Sequence, residues 1–409
     1  MSFGFWGATN MKILVACEMP EAALGELREL GLEVVHEPGL SADDLQENLV
    51  DVAILIVGKV RVSQDAIATG KTLQMIVRAG DLTSNIALDE ASAAGIFVTH
   101  CPDKDAQATA ELTFGLILAL DRRIVENTVA LRAGKWTRSE FLDARGLAGR
   151  TLGVLGGGET GWQVARRARA FEMNVVAWSP TLTPEEAERR EVEFCNWPRE
   201  LARKSDIVTI HAPPTEEPDR LVDAEFLENM RTGAYLVHVG YSGAIDEIAL
   251  GDAIERRQLR VALDVFSSEP GIDGGKFRSR LLERPGVIGT QHIGSETEQV
   301  RQAISDEVIR IVRTFLVSGE VLHCVNLCER SPATWQLVVR VRDQVGVMAA
   351  ILEAVRADGI NAEEISSRVF RGAKAAWCTI ALDERPSTEA LECIRELNDV
   401  LHLDLRAVV

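Results

Sequence analysis

No Cys-x-x-Cys pair occurs in this sequence, and its seven cysteines, Cys17, Cys101, Cys195, Cys324, Cys328, Cys378 and Cys393, are scattered and odd in number. That argues against a disulfide framework and against a thiolate metal site of the usual spacing. Reduced packing thiols are expected, and no metal. Even Cys324 and Cys328 have only His323 beside them as a potential ligand. No apolar run reaches the ~20 residues that span a bilayer. No charged stretch followed by an apolar core opens the chain, so a cytoplasmic protein is expected. Basic residues are outnumbered: 44 Lys and Arg against 62 Asp and Glu give a formal net charge of −18. With a pI near 5.0, a nucleic-acid backbone or an anionic membrane surface would meet like charge. A small-molecule partner is left as the expectation.

What the sequence has is length and punctuation. Its 409 residues suffice for two or three domains with buried cores. The stretch that organises them is GRTLGVLGGGETGWQVARRARAFEMNVVAWSP, residues 149–180. An apolar strand over 151–155 runs into Gly156, Gly158 and Gly161, spaced G-x-G-x-x-G with Glu159 and Thr160 between the last two. A helix with Val164, Ala165, Ala168 and Phe171 on one face follows, then a second strand over 175–178. The first glycine permits the tight turn, the second lets backbone approach a pyrophosphate, and the third lets helix and strand pack closely. Phosphates then meet free N–H groups at the positive end of the helix. NAD is the expected cofactor. The carboxylate that would bind the ribose is replaced by Ser179, which repels no 2′-phosphate and leaves NADP open.

Around this unit strands and helices alternate. Strands are expected over 11–16, 33–36, 52–57, 73–77 and 96–99, with helices over 22–30 and after Ser63 and Asp89, as a first, flavodoxin-like α/β unit. An apolar helix over 111–120 leads to the Gly-rich unit. Beyond it, strands over 207–210, 234–239, 260–263 and 287–289 and helices over 223–230 and 245–255 complete a doubly wound, Rossmann-type parallel sheet. A long helix over 297–317 returns to the first unit and makes that domain discontinuous. After a polar linker, 323–332, the order strand 336–341, helix 347–357, strands 361–369 and 375–382, helix 387–397 and strand 402–408 is ferredoxin-like.

The segments AELTFGLILALDRRI, DIVTIHAPPTEE, GAIDEIAL, LDVFSSEP and TQHIG, together with the Gly-rich unit, carry a family resemblance. From Met11 to Val409 the chain resembles D-isomer-specific 2-hydroxyacid dehydrogenases of the D-3-phosphoglycerate dehydrogenase type with a C-terminal ACT domain. The resemblance implies a substrate-binding domain at 11–110 completed by 295–325, a dinucleotide-binding domain at 111–294 and an ACT domain at 333–409. It implies hydride exchange between C2 of a 2-hydroxy or 2-oxo acid and nicotinamide, with His292 as acid/base and Glu269 orienting it. A carboxylate beside an imidazole fixes its tautomer and prepares a proton relay. It also places Asp264 facing the nicotinamide amide, and His211, Pro213 and Thr215 in a cofactor-side loop. Finally, it implies a homodimer or homotetramer, built through the apolar helix and the arm over 132–149.

Three substrate-side pieces depart from the family. Tyr241 stands where the carboxylate-binding arginine is expected, and one phenol hydroxyl cannot reproduce a bidentate guanidinium clamp. The loop that offers small residues to the substrate reads AGDLTSN, with Asp81 and Leu82. The arginine-serine pair that grips a phosphate aligns with Val57 and Gly58, with Lys59 and Arg61 nearby. Two readings follow: a dehydrogenase of this class acting on another substrate, or a non-catalytic paralogue serving as a nucleotide-binding scaffold or sensor. In the C-terminal module the effector loop, usually Asn-x-Pro-Gly, reads Asp343-Gln344-Val345-Gly346. Asn361 matches a serine-binding residue, but the altered loop favours a module kept for oligomer contacts.

Overall fold

The computed structural model describes residues 11–212, 220–270, 274–328 and 331–408. It divides into two compact units, one ending at Val325 and one beginning at Asn326. The first unit holds two parallel sheets. One is built from β1 (Met11–Ala16), β2 (Leu32–His36), β3 (Val52–Val57), β4 (Met75–Arg78) and β5 (Phe97–His100), ordered β2-β1-β3-β4-β5. β3, VAILIV, is buried at every position, as expected of a parallel strand covered on both faces. Helices α1 (Glu21–Glu29), α2 (Ala42–Asn48), α3 (Gln64–Thr69) and α4 (Leu88–Ala93) link these strands. Ser63 caps α3 by accepting from the Ala66 N–H. Asp89, expected to start a helix, lies inside the first turn of α4, whose cap is Ala87.

Helix α5 (Ala106–Arg122) is longer than its apolar core suggests and is followed at once by α6 (Ile124–Arg132). Arg123 breaks the two apart by adopting a left-handed conformation, φ 49°. The second sheet comprises β6 (Thr151–Leu155), β7 (Asn174–Trp178), β8 (Glu193–Phe194), β9 (Ile207–Ile210), β10 (Tyr235–His238), β11 (Arg260–Leu263) and β12 (Val287–Gly289). Its order, β12-β11-β10-β9-β6-β7-β8, is the Rossmann order with one strand added at the edge. The reversal between β6 and β9 puts the Gly-rich turn where an open α/β sheet binds ligands. Around it lie α7 (Glu159–Ala170), α8 (Pro184–Arg189), α9 (Pro198–Lys204), α10 (Ala224–Asn229) and α11 (Glu247–Arg257).

The chain then returns. α12 (Glu298–Ser318) puts Val308, Ile309, Ile311 and Val312 into the core formed by Ile13, Val15, Ile54, Ile56 and Val77. In the second sheet a buried polar cluster joins distant segments. Asp121 at the end of α5 accepts from Arg150 (3.2 Å), from the Tyr235 hydroxyl (3.1 Å) and from the Gly146 N–H (3.2 Å). A buried carboxylate so surrounded has its lone pairs satisfied, the condition under which burying charge is tolerated.

The second unit contains β13 (Trp335–Arg342), α13 (Val347–Ala357), β14 (Ala362–Val369), β15 (Ala375–Leu382), α14 (Thr388–Glu396) and β16 (Val400–Ala407). The strands form an antiparallel sheet ordered β14-β15-β13-β16. Leu337, Val339, Ile351, Val355, Ile380 and Ile394 form its core.

Candidate active site

The dinucleotide turn has the geometry its sequence demands. Gly156 has φ 120°, and a Cβ there would overlap the His211 carbonyl, so no other residue fits. A Cβ on Gly161 would lie 2.7 Å from the Gly156 carbonyl oxygen, which is why α7 packs so tightly on β6. At Gly158, by contrast, nothing lies within 4 Å of where a Cβ would stand. The N-terminus of α7 therefore faces open space, and its free N–H groups suit a pyrophosphate. Glu159, in the first turn, accepts from Gln163 at 2.7 Å, and Thr160 follows it on the helix. Ser179, at the end of β7, is buried and accepts from the Thr181 N–H at 3.3 Å.

Two histidines are buried at the ends of neighbouring strands. His211 Nε2 lies 2.8 Å from Thr209 Oγ1, and His238 Nε2 donates to the Tyr241 carbonyl at 2.9 Å. Burial, followed by repulsion from His238, pushes His211 down to about 3. Burial likewise pushes His238 down to about 4, against the opposing pull of its bond to the Tyr241 carbonyl. Both rings are neutral near pH 7. Pro213 and Thr215 lie outside the described residues. His238 escapes the sequence reading, although an imidazole inside the apolar run LVHVG is the available signal.

The segment after β12 carries His292. Asp264, buried after β11, organises it: the Asp264 carbonyl accepts from the His292 N–H at 2.8 Å. Its carboxylate accepts from the Ile293 N–H (3.0 Å), the Gly294 N–H (2.8 Å) and the Thr290 hydroxyl (2.5 Å). His292 itself sits at φ 53°, a left-handed conformation unusual for a non-glycine residue, of a kind that clusters at functional sites. Its Nδ1 donates to Glu269 Oε2 at 2.8 Å, while Glu269 Oε1 accepts from the Phe266 N–H at 2.7 Å. Held at both oxygens, the carboxylate fixes the ring so that Nε2 is the nitrogen free to exchange a proton. The imidazole is 58% exposed, accessible to a substrate.

Tyr241 follows β10 and is 45% exposed. Its ring folds over Gly243, where a Cβ would come within 2.7 Å of the hydroxyl. Lys59, whose direction the sequence leaves open, reaches Glu296 at 3.3 Å. Asp81 lies beside His100, whose Nδ1 is 2.6 Å from the Asp81 carbonyl and 3.3 Å from its carboxylate.

Residues 114–294 match the family model described as D-isomer specific 2-hydroxyacid dehydrogenase, NAD binding domain. The chain is 35% identical over 280 residues to hydroxypyruvate reductase of Thermotoga maritima, covering 68% of this chain and 89% of that protein. This chain belongs to the D-isomer specific 2-hydroxyacid dehydrogenase family. It is also 36% identical over 317 residues to D-3-phosphoglycerate dehydrogenase of Methanocaldococcus jannaschii, covering 76% of this chain and 59% of that protein. The alignments to the curated phosphoglycerate dehydrogenases that head the comparison span 59–64% of their length. Among solved structures, the TT0316 protein from Thermus thermophilus superposes with a TM-score of 0.67 at 33% identity, over 77% of this chain and 100% of that one. The matched model is an NAD-binding domain, and NAD is the cofactor it names. No helix among the described residues is long and apolar enough to cross a membrane.

Proposed function

We propose that the protein is an NAD(P)-dependent oxidoreductase of the 2-hydroxyacid dehydrogenase type whose substrate is not 3-phosphoglycerate. The observation that carries this reading is the His292–Glu269 contact at 2.8 Å, on a turn pinned by Asp264. Bound nicotinamide supplies the hydride acceptor or donor. Gly156, Gly158, Glu159, Thr160 and Gly161 form the pyrophosphate turn, and Ser179 meets the ribose. His211 lies on the cofactor side, where the family resemblance also assigns Pro213 and Thr215. His292 exchanges the substrate proton, Glu269 orients it, and Asp264 sets the height of the loop. Residues 11–110 with 295–325 form the substrate domain and 111–294 the dinucleotide domain. Residues 333–409 form an ACT module kept for assembly, a role supported by its βαββαβ order and altered effector loop. The substrate assignment follows from Tyr241 and Val57, which stand where two anion-gripping arginines are expected.

A second reading, a nucleotide-binding scaffold without catalysis, is favoured by the same Tyr241, whose hydroxyl turns over Gly243. The readings separate in one set of measurements. Calorimetry should show NADH or NADPH binding, and 3-phosphoglycerate oxidation should fall far below the ~1–10³ s⁻¹ of ordinary enzymes. A screen of 2-oxo and 2-imino acids should find a substrate whose turnover drops at least ~100-fold in His292→Asn, the scale of a lost general acid/base. Ordinary 3-phosphoglycerate turnover would refute the substrate assignment. Turnover unaffected in His292→Asn would refute the dyad.

A further inference from the structure

Both helices of the second unit lie on one face of its sheet. Val347, Ile351 and Val355 of α13 and Ile394 of α14 pack with Leu337, Val339 and Ile380. Side chains alternate along a strand, so Arg340, Trp377, Arg368 and His402 turn to the other face, and all four are exposed. Register brings them into one row across the sheet: Arg368 opposite Trp377, Trp377 opposite Arg340, and Arg340 opposite His402. With neighbouring strands ~4.8 Å apart, an arginine stem stands on either side of the indole.

Other arginines of this sheet are neutralised within the chain. Arg342 pairs with Asp399 at 3.9 Å and Arg406 with Asp404 at 2.8 Å. Among the described residues, Arg340 and Arg368 have no carboxylate within ion-pair distance. Trp335, in the same unit, carries the Arg385 guanidinium over its ring at 5.2 Å, whereas no cation among the described residues sits over Trp377. Along β15 the neighbours of Trp377 on this face are Ala375 and Thr379, too small to cover an indole. Two unpaired guanidinium groups thus flank an open aromatic ring, in a chain whose net charge is −18. Guanidinium groups match phosphate oxygens in pairs, and an indole stacks a nucleobase on its π-face.

We propose that this sheet face is a second nucleotide site, taking a mononucleotide with its base on Trp377 and its phosphates on Arg340 and Arg368. It lies outside the Gly-rich turn and does not rest on the His292 dyad. Charge selects this occupant over two others. A longer nucleic-acid strand would run on from the row to Glu364 and Asp404, which the register puts on the same face, and meet like charge there. A second copy seated on the face through a two-fold axis would bring the same arginines against each other.

The test titrates ADP calorimetrically into the full-length protein saturated with NADH, so that the Gly-rich turn is already filled. ADP should bind with a Kd of ~1 mM or below. Trp377→Ala should weaken it at least ~10-fold, within the cost of removing an aromatic ring from under one base. The Arg340→Gln/Arg368→Gln double variant should weaken it as much. Pyrophosphate, which brings the charge without a ring, should bind at least ~10-fold more weakly than ADP. Since the three side chains are exposed, both variants should keep the wild-type melting temperature and NADH affinity. The variants decide in the same way whether or not NADH binds, so a failure of the dinucleotide reading is seen separately. No ADP binding at ~5 mM, ADP no tighter than pyrophosphate, or ADP binding unchanged in either variant overturns the inference. A single-stranded oligonucleotide held more tightly than ADP by the same residues overturns the mononucleotide assignment.

Discussion

His211 and His238 show how one buried side chain links folding to pH. An unfolded histidine takes up its proton near 6.5, whereas burial keeps His211 neutral down to about 3 and His238 down to about 4. Below 6.5 the unfolded chain therefore binds more protons than the folded one, and stability falls as pH drops through that window. Replacing one group removes its share. In urea melts His238→Asn should flatten the decline between pH 6.5 and 4 relative to wild type, and an unchanged slope would show that His238 does not titrate with unfolding. The family resemblance assigns Asp264 to the nicotinamide. In the structure its carboxylate accepts three bonds from residues 290–294, a contribution that sequence spacing alone does not reveal. The His292–Glu269 pair, by contrast, is legible, because each residue sits in a short segment whose neighbours define its turn.

Among the elements, the β6–α7 turn is the one whose residues dictate structure most directly. Gly156→Ala should abolish detectable NADH binding in calorimetry, since a methyl there overlaps the His211 carbonyl and the φ of 120° strains any side chain. Binding within about twofold of wild type would show that this turn does not hold the cofactor; a parallel thermal melt would separate lost binding from lost folding. This turn is readable because glycine positions report backbone geometry. The short helices are less so. α2 begins with a capping box, Ser41 and Asp44, and α8 with Thr183 before Pro184, yet at six or seven residues neither fills the window of about 11–18 residues in which helical periodicity stands out. α6 escapes for another reason. Arg123 separates it from α5 by a single left-handed residue without glycine, and the helical pattern runs through the break.

For the whole molecule, the argument for assembly moves from one helix to the next. The apolar helix α5, expected to need a partner chain, is covered by its own: Phe114, Leu116, Ile117 and Leu120 pack with Leu152, Val164 and Val237. What remains exposed lies just after it, on α6 and the arm, where Val129 (60%), Leu142 (67%) and Trp136 (82%) face solvent. Apolar groups gathered this way mark contact surfaces, and a two-fold closed dimer is the common outcome. Light scattering at low micromolar concentration should give twice the chain mass, and Trp136→Asp should shift it toward one chain. A wild-type mass of one chain rules the dimer out. The return of α12 has a further consequence, for synthesis. Val308 to Val312 complete a core that Ile13 and Val15 begin with Ala23, Leu24 and Leu27 of α1, so the first sheet leaves the ribosome with one face covered only in part. The dinucleotide sheet, contiguous in the chain, can close before it. In a nascent protein the sheet made first is thus completed after the second, and until α12 emerges the uncovered part of its face is a surface for chaperones to shield.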